Sequence, residues 1–106
     1  MSECLDWDWN TSARDHIENR HVRDGSDDIA TAWTQEAWDD PDRLMYDPDP
    51  RNRGGGRTIR CIGYTPSGER IVTVIVMRID EELFGITAYT TTGSDLQHYL
   101  EGRGND

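Results

Sequence analysis

Apolar residues are sparse in this chain, and their spacing changes character twice. Up to Trp38 they recur at helical intervals, from Arg43 to Thr91 they alternate or run together, and after Ser94 they return to a spacing of four. Asn10, Thr11 and Ser12 offer N-caps, with Asp15 three residues after Ser12. This predicts a first helix over 12–21 with a narrow apolar stripe of Ala13 and Ile17. Arg23-Asp24-Gly25-Ser26 breaks it. Ser26 then caps a second helix, with Asp27 and Asp28 against the positive end of its dipole and Ile29, Ala32, Trp33, Ala37 and Trp38 recurring along it. Asp39-Asp40-Pro41 stops that helix, because proline disfavours helical geometry in the residue before it. Ahead of both helices, Trp7 and Trp9 stand two apart, which would put both indoles on one side of an extended segment covering an edge of the core.

A short strand is expected over 43–47, then a loop over 48–56 carrying Pro48, Pro50 and Gly54-Gly55-Gly56. A meander follows: a strand over 57–64, a turn at Thr65-Pro66-Ser67-Gly68, a strand over 69–78, a turn at Asp80-Glu81-Glu82, and a strand over 83–91. In the middle strand both alternating sets, Ile71/Thr73/Ile75/Met77 and Val72/Val74/Val76, are largely apolar. That marks a central strand covered on both faces. Ser94 caps a last helix through about 102, with Leu96 and Leu100 four apart and Tyr99 beside them. The expected fold is a single α+β domain over 1–106, with two N-terminal helices packed on a four-stranded antiparallel sheet and a C-terminal helix.

Charge changes this picture by being segregated. The 106 residues carry a net charge of −10, yet residues 51–78 hold Arg51, Arg53, Arg57, Arg60, Arg70 and Arg78 against Glu69 alone. There is no lysine, so every cation is a guanidinium that can grip carboxylate or phosphate with two hydrogen bonds. The clustering predicts positive potential confined to one surface, formed by the 48–56 loop and the strand ends. Cys4 and Cys61 have neither metal-like nor redox-like spacing, and reduced thiols are expected. No His/Cys/carboxylate set has ligand spacing, so neither metal nor cofactor is implied. No apolar run approaches the length of a membrane span, and the acidic N-terminus lacks the parts of a signal peptide, which predicts a cytoplasmic protein with no membrane partner.

Several short motifs, in order, resemble the BrnT family, ribonuclease toxins of type II toxin–antitoxin pairs with a RelE-like fold. Trp9-Asn10, followed by Arg20-His21-Val22, is similar to the family's opening Trp-Asp segment and the Lys-His-Gly-Val end of its first helix, without the Gly. Trp38-Asp39-Asp40-Pro41 through Tyr46-Asp47-Pro48-Asp49-Pro50 resembles its Asp-Pro strand and second Asp-Pro loop. Ile62-Gly63 and the run from Ile71 to Met77 resemble its Ile-Gly turn and aliphatic strand. Ile86-Thr87-Ala88, with Tyr99 eleven residues on, follows the spacing of its Ile-Ser-Ala-Arg strand and closing helix. Two positions depart: Tyr89 stands where the family has Arg, and 94–98 carries no Arg.

The resemblance implies a metal-independent endoribonuclease, with RNA as substrate and a cognate antitoxin as partner, and a homodimer stays open. His21 would exchange a proton with the 2′-hydroxyl or the leaving group, or else simply favour the helix dipole. Arg57, Arg60 and Arg78 would stabilise the phosphorane; alternation lets only one of Arg57 and Arg60 face a given cleft, and a rim salt bridge to Asp80 or Glu81 is the other reading of Arg78. Tyr89 would act as acid or base, or stack on a base. Arg51, Arg53 and Arg70 would bind RNA or a partner. His16 and His98 read as surface residues, and Trp33 and Trp38 as core or interface. Against catalysis stand the net charge and the missing Arg, which point to a protein-interaction module, or an acidic nucleic-acid mimic, on the same fold.

Overall fold

The computed structural model describes residues 3–51 and 57–104. The strand with two apolar faces becomes the middle of a mixed sheet. β4 (Arg70–Ile79) lies between β3 (Thr58–Thr65) and β5 (Glu82–Thr90), antiparallel to both, and β2 (Leu44–Tyr46) adds antiparallel to β3. A fifth strand, β1 (Leu5–Asp6), pairs parallel with β5 through Leu5 opposite Leu83 and Asp6 opposite Phe84. The expected count of four strands is therefore one short, since two residues are too few for an alternating pattern to register.

The register sorts the sheet into two faces. Val74 sits between Cys61 and Ala88, and the Cys61 thiol points at the Ala37 carbonyl of α3 (Thr31–Trp38). Val72, Val74, Val76, Ile59, Leu83 and Ala88 thus meet Ile17, Ile29, Ala37 and Trp38 in one buried cluster. Burial pushes the Cys61 thiol up to about 12, which makes it inert. Contact between α3 and β3 is close because of Gly63, where a Cβ would lie 2.1 Å from the Ala37 carbonyl oxygen.

The helical half departs from expectation in three ways. The first helix divides into α1 (Thr11–Glu18) and α2 (Arg20–Asp24). Asn10, not Ser12, caps α1 by accepting from the Ser12 N–H, and Asn19 interrupts at φ −128° and ψ 37°. The second helix starts four residues later than expected, with Ala30 rather than Ser26 at its N-cap. Asp24 takes the Ser26 N–H and the Ile29 N–H donates to Ile17 O, which holds the chain extended ahead of α3. Finally, Trp7 is buried while Trp9 is 42% exposed, because Asp6 accepts the N–H groups of Asp8 and Trp9 and turns the chain after β1.

On the second face, α4 (Gly93–Gly104) presents Asp95 and Tyr99 inward and leaves Leu100 exposed, rather than burying the leucine pair. Its docking is polar. The Tyr99 hydroxyl donates to Asp40, whose carboxylate also takes the Tyr64 N–H at 2.8 Å. Asp95 accepts two 2.8 Å hydrogen bonds from the Arg51 guanidinium, which hold its carboxyl below the usual range. Beneath them lies Arg60, only 3% exposed, with Nε 3.7 Å from Asp49 and Nη1 3.6 Å from Asp95, its guanidinium over the Tyr46 ring at 4.6 Å.

Two stability effects follow. Arg60→Ala leaves Asp49 and Asp95 short of a buried counter-charge and should cost about 3 kcal/mol in chemical denaturation. Gly63→Ala has no soft atom to push against and should cost about 1–3 kcal/mol, with α3 displaced from β3.

Candidate functional site

The expected basic surface is not assembled. Arg51 pairs with Asp95, Arg60 lies between Asp49 and Asp95, Arg70 meets Asp27 at 3.1 Å, and Arg78 meets Glu3 at 3.0 Å. Their carboxylates come from outside the basic stretch, so charge segregated in sequence is mixed in space. Arg57 is exposed just ahead of β3, and its carbonyl accepts the Arg78 N–H. Arg53, and most of the expected 48–56 loop, lies outside the described residues. Along β4, Arg70 and Arg78 stand near opposite ends, more than roughly 20 Å apart at about 3.3 Å per residue. Arg60 is a structural ion-pair residue on the second face, which removes it from reach of a phosphate at the surface.

Of the other expected site residues, only Tyr89 borders a cavity, at the outer edge of β5. β1 pairs only with Leu83 and Phe84, and side chains cap carbonyls further along: Trp9 Nε1 donates to Gly85 O at 2.9 Å and Arg20 Nη1 donates to Ala88 O at 3.3 Å. Between this edge and the turn after α2 lies a cavity of about 400 Å³, walled by Arg20, Ser26, Asp27, Tyr89, Thr90 and Thr92. Tyr89 contributes from the second-face set of β5, opposite Thr73. Arg20 is mostly enclosed; its Nη2 is 4.0 Å from Asp24, and its buried Nε has no hydrogen-bond partner.

His21 follows Arg20 in α2 but is not part of the cavity wall. Its side chain is 60% exposed, with Nδ1 2.6 Å from Asp28 Oδ2 and the backbone N–H on Oδ1 of the same carboxylate at 3.0 Å. The hydrogen bonds from the His21 backbone and ring, in that order, hold the Asp28 carboxyl below its usual range. A carboxylate accepting at Nδ1 orients the ring and leaves Nε2 as the atom that can exchange a proton. Arg70 borders the cavity indirectly: it stacks on Trp33 at 5.0 Å and pairs with Asp27, one of the wall residues.

Sequence reasoning named His21 and Tyr89 but passed over Arg20, Ser26, Thr90 and Thr92. Their one visible signal is the hydroxyl run Tyr89-Thr90-Thr91-Thr92 closing a strand. Thr91 is buried, bonding Thr73 at 2.7 Å, so the flanking threonines reach the cavity.

A second concavity, about 450 Å³, lies around the end of α3, with Glu36, Asp39, Asp40 and Asp42 around Tyr64 and Pro66. Glu36 is held below its usual range by the Thr65 and Ser67 hydroxyls and the Ser67 N–H. Among the described residues no group of three or more His, Cys, Asp or Glu could hold a metal ion, and no helix is long and apolar enough to cross a membrane. Against protein-family models and curated proteins alike, the chain finds no match.

Proposed function

We propose that this protein is a non-catalytic interaction module, descended from a BrnT-like toxin fold, that receives a basic segment of a protein partner on its acidic side. One observation carries this reading: Arg51, Arg60, Arg70 and Arg78 are each paired with a carboxylate of the chain itself. An anionic polymer would have to displace those carboxylates and approach a body of net charge −10. A cationic segment is attracted by the same net charge. The groove around Tyr64 and Pro66 gives it apolar contact inside a rim of four carboxylates, an arrangement suited to an arginine side chain that packs its stem and pairs its head.

A second reading, a metal-independent endoribonuclease toxin neutralised by a cognate antitoxin, is favoured by one arrangement. His21 is oriented by Asp28, next in sequence to Arg20, which shares a cavity with Tyr89. In that reading His21 Nε2 moves the proton as the 2′-hydroxyl attacks the adjacent phosphate, while Arg20 and Tyr89 hold the anion.

Two measurements separate these readings. An arginine-rich peptide titrated calorimetrically should bind, weakening as salt rises. The double substitution Asp39→Asn, Asp42→Asn should lower its affinity several-fold more than Asp80→Asn, Glu81→Gln, which removes equal charge from the exposed β4–β5 turn. Equal losses would reduce the groove to a share of overall charge. Incubated with RNA in EDTA, the protein should leave it intact; cyclic-phosphate ends lost with His21→Ala would establish the ribonuclease instead.

A further inference from the structure

We infer that the second face of β4 and β5 is a docking surface for an amphipathic helix of a protein partner, apolar where it meets Ile75, Met77 and Phe84 and basic where it meets the β4–β5 turn. The inference goes beyond the groove around Tyr64 and uses none of its residues. It rests on an asymmetry between the two faces of one strand. Both alternating sets of β4 are apolar, but the fold covers them unequally. Val72, Val74 and Val76 are fully enclosed in the cluster with Ile17, Ile29, Ala37 and Trp38, whereas Ile75 and Met77 are half-buried and Ile79 is 37% exposed. The register carries this band across the sheet: Thr58, Met77 and Phe84 form one row, Ile75 and Thr87 the next, and Ile79 stands opposite Glu82. At the outer edge Trp9, 42% exposed, extends the band through a T-shaped contact with Phe84 at 5.6 Å.

Geometry selects a helix. The band lies on a sheet face, which offers side chains rather than the backbone groups a strand would need. α1 and α3 pack on the first face, and on the second α4 packs against β3. The strands beside it, β4 and β5, are about 4.8 Å apart, so together they match the roughly 10 Å diameter of one helix lying next to α4. From Ile75 to Ile79 the band runs roughly 13 Å, the length of about two and a half helical turns. Charge selects the kind of helix. Asp80, Glu81 and Glu82 are exposed at the end of the band, with Arg57 ahead of β3 as the nearby exposed cation. Glu3, Asp27, Asp49 and Asp95 each have an arginine partner; these three have none among the described residues. Lysine or arginine at the end of an apolar helix would pair there. A second copy of the chain would instead bring a further net charge of −10 against the same rim.

The test is an amide-resolved NMR titration of the full chain with a synthetic helical peptide bearing leucines along one side and lysines along the other, run beside a peptide of equal composition with the leucines scattered. Saturable shifts at Thr58 and at residues 75–79 and 82–87 are expected with the first peptide and not with the second. The double substitution Ile75→Thr, Met77→Thr keeps strand propensity and removes apolar contact, and should lower affinity at least about tenfold. Val22→Thr, at an apolar residue of α2 that is 75% exposed, should change it less than about twofold. Glu81→Gln, Glu82→Gln should weaken binding and flatten its salt dependence, and supplies an independent loss should the threonine variant fail to fold. Equal affinity for the two peptides, shifts spread over the whole surface, or equal affinity in the threonine variant and wild type would each overturn the assignment. Self-association of the wild type in sedimentation, lost in the threonine variant, would overturn it in favour of a second copy. Asp39→Asn, Asp42→Asn should leave affinity for this peptide within about twofold, so failure here is separate from failure of the groove.

Discussion

A guanidinium that cannot leave the second face of the sheet organises this molecule. Arg60 is carried inward by strand alternation, opposite the set that packs on α3, and once there it needs counter-charge. Asp49 brings the segment after β2 down onto the sheet, Asp95 brings in the first turn of α4, and Arg51 ties to Asp95 from outside. Neither Asp49 nor Asp95 reaches Arg60 within hydrogen-bond distance, so the cluster acts through charge and through the Tyr46 ring rather than through ideal geometry. The orientation of α4 follows: the helix turns Asp95 and Tyr99 to the sheet because both have buried polar partners, and Leu100 is left to solvent.

The same need for partners shapes the opposite edge of the sheet. β1 is only two residues long, so most of β5 would present bare carbonyls, and Trp9 and Arg20 reach back to cap two of them. Capping by Arg20 anchors α2 beside β5 and opens the cavity that Tyr89 walls. Gly85 belongs to this arrangement as well: a Cβ there would lie 2.3 Å from the Trp7 ring, so glycine lets the indole lie flat on the strand and reach the Thr34 hydroxyl.

Taken as a whole, a net charge of −10 repels polyanions, while two local arrangements stand apart from the neutral pairs. The His21–Asp28 pair fixes a ring orientation, and the Arg20 guanidinium caps the Ala88 carbonyl with its buried Nε left without a partner.

What the amino-acid sequence determined by itself was whatever depends on neighbours along the chain. The doubly apolar run Ile71–Met77 could only be a covered central strand, the Asp80–Glu81 turn could only reverse it into β5, and the α+β order followed from the spacing of apolar residues. Local features were harder to read: the non-helical backbone at Asn19 that divides the first helix, and the Asp24 side-chain hydrogen bond ahead of the second, are not encoded by alternation. Tertiary structure alone decided which charges meet. Arg51 and Asp95 are 44 residues apart and Arg70 and Asp27 are 43 apart, so a basic block in sequence became a set of neutral pairs in space. Arg20 meets its sequence neighbour Asp24 only at 4.0 Å and reaches instead a carbonyl on a strand 68 residues away. Charge acts across whatever distance folding leaves, and only packing sets that distance.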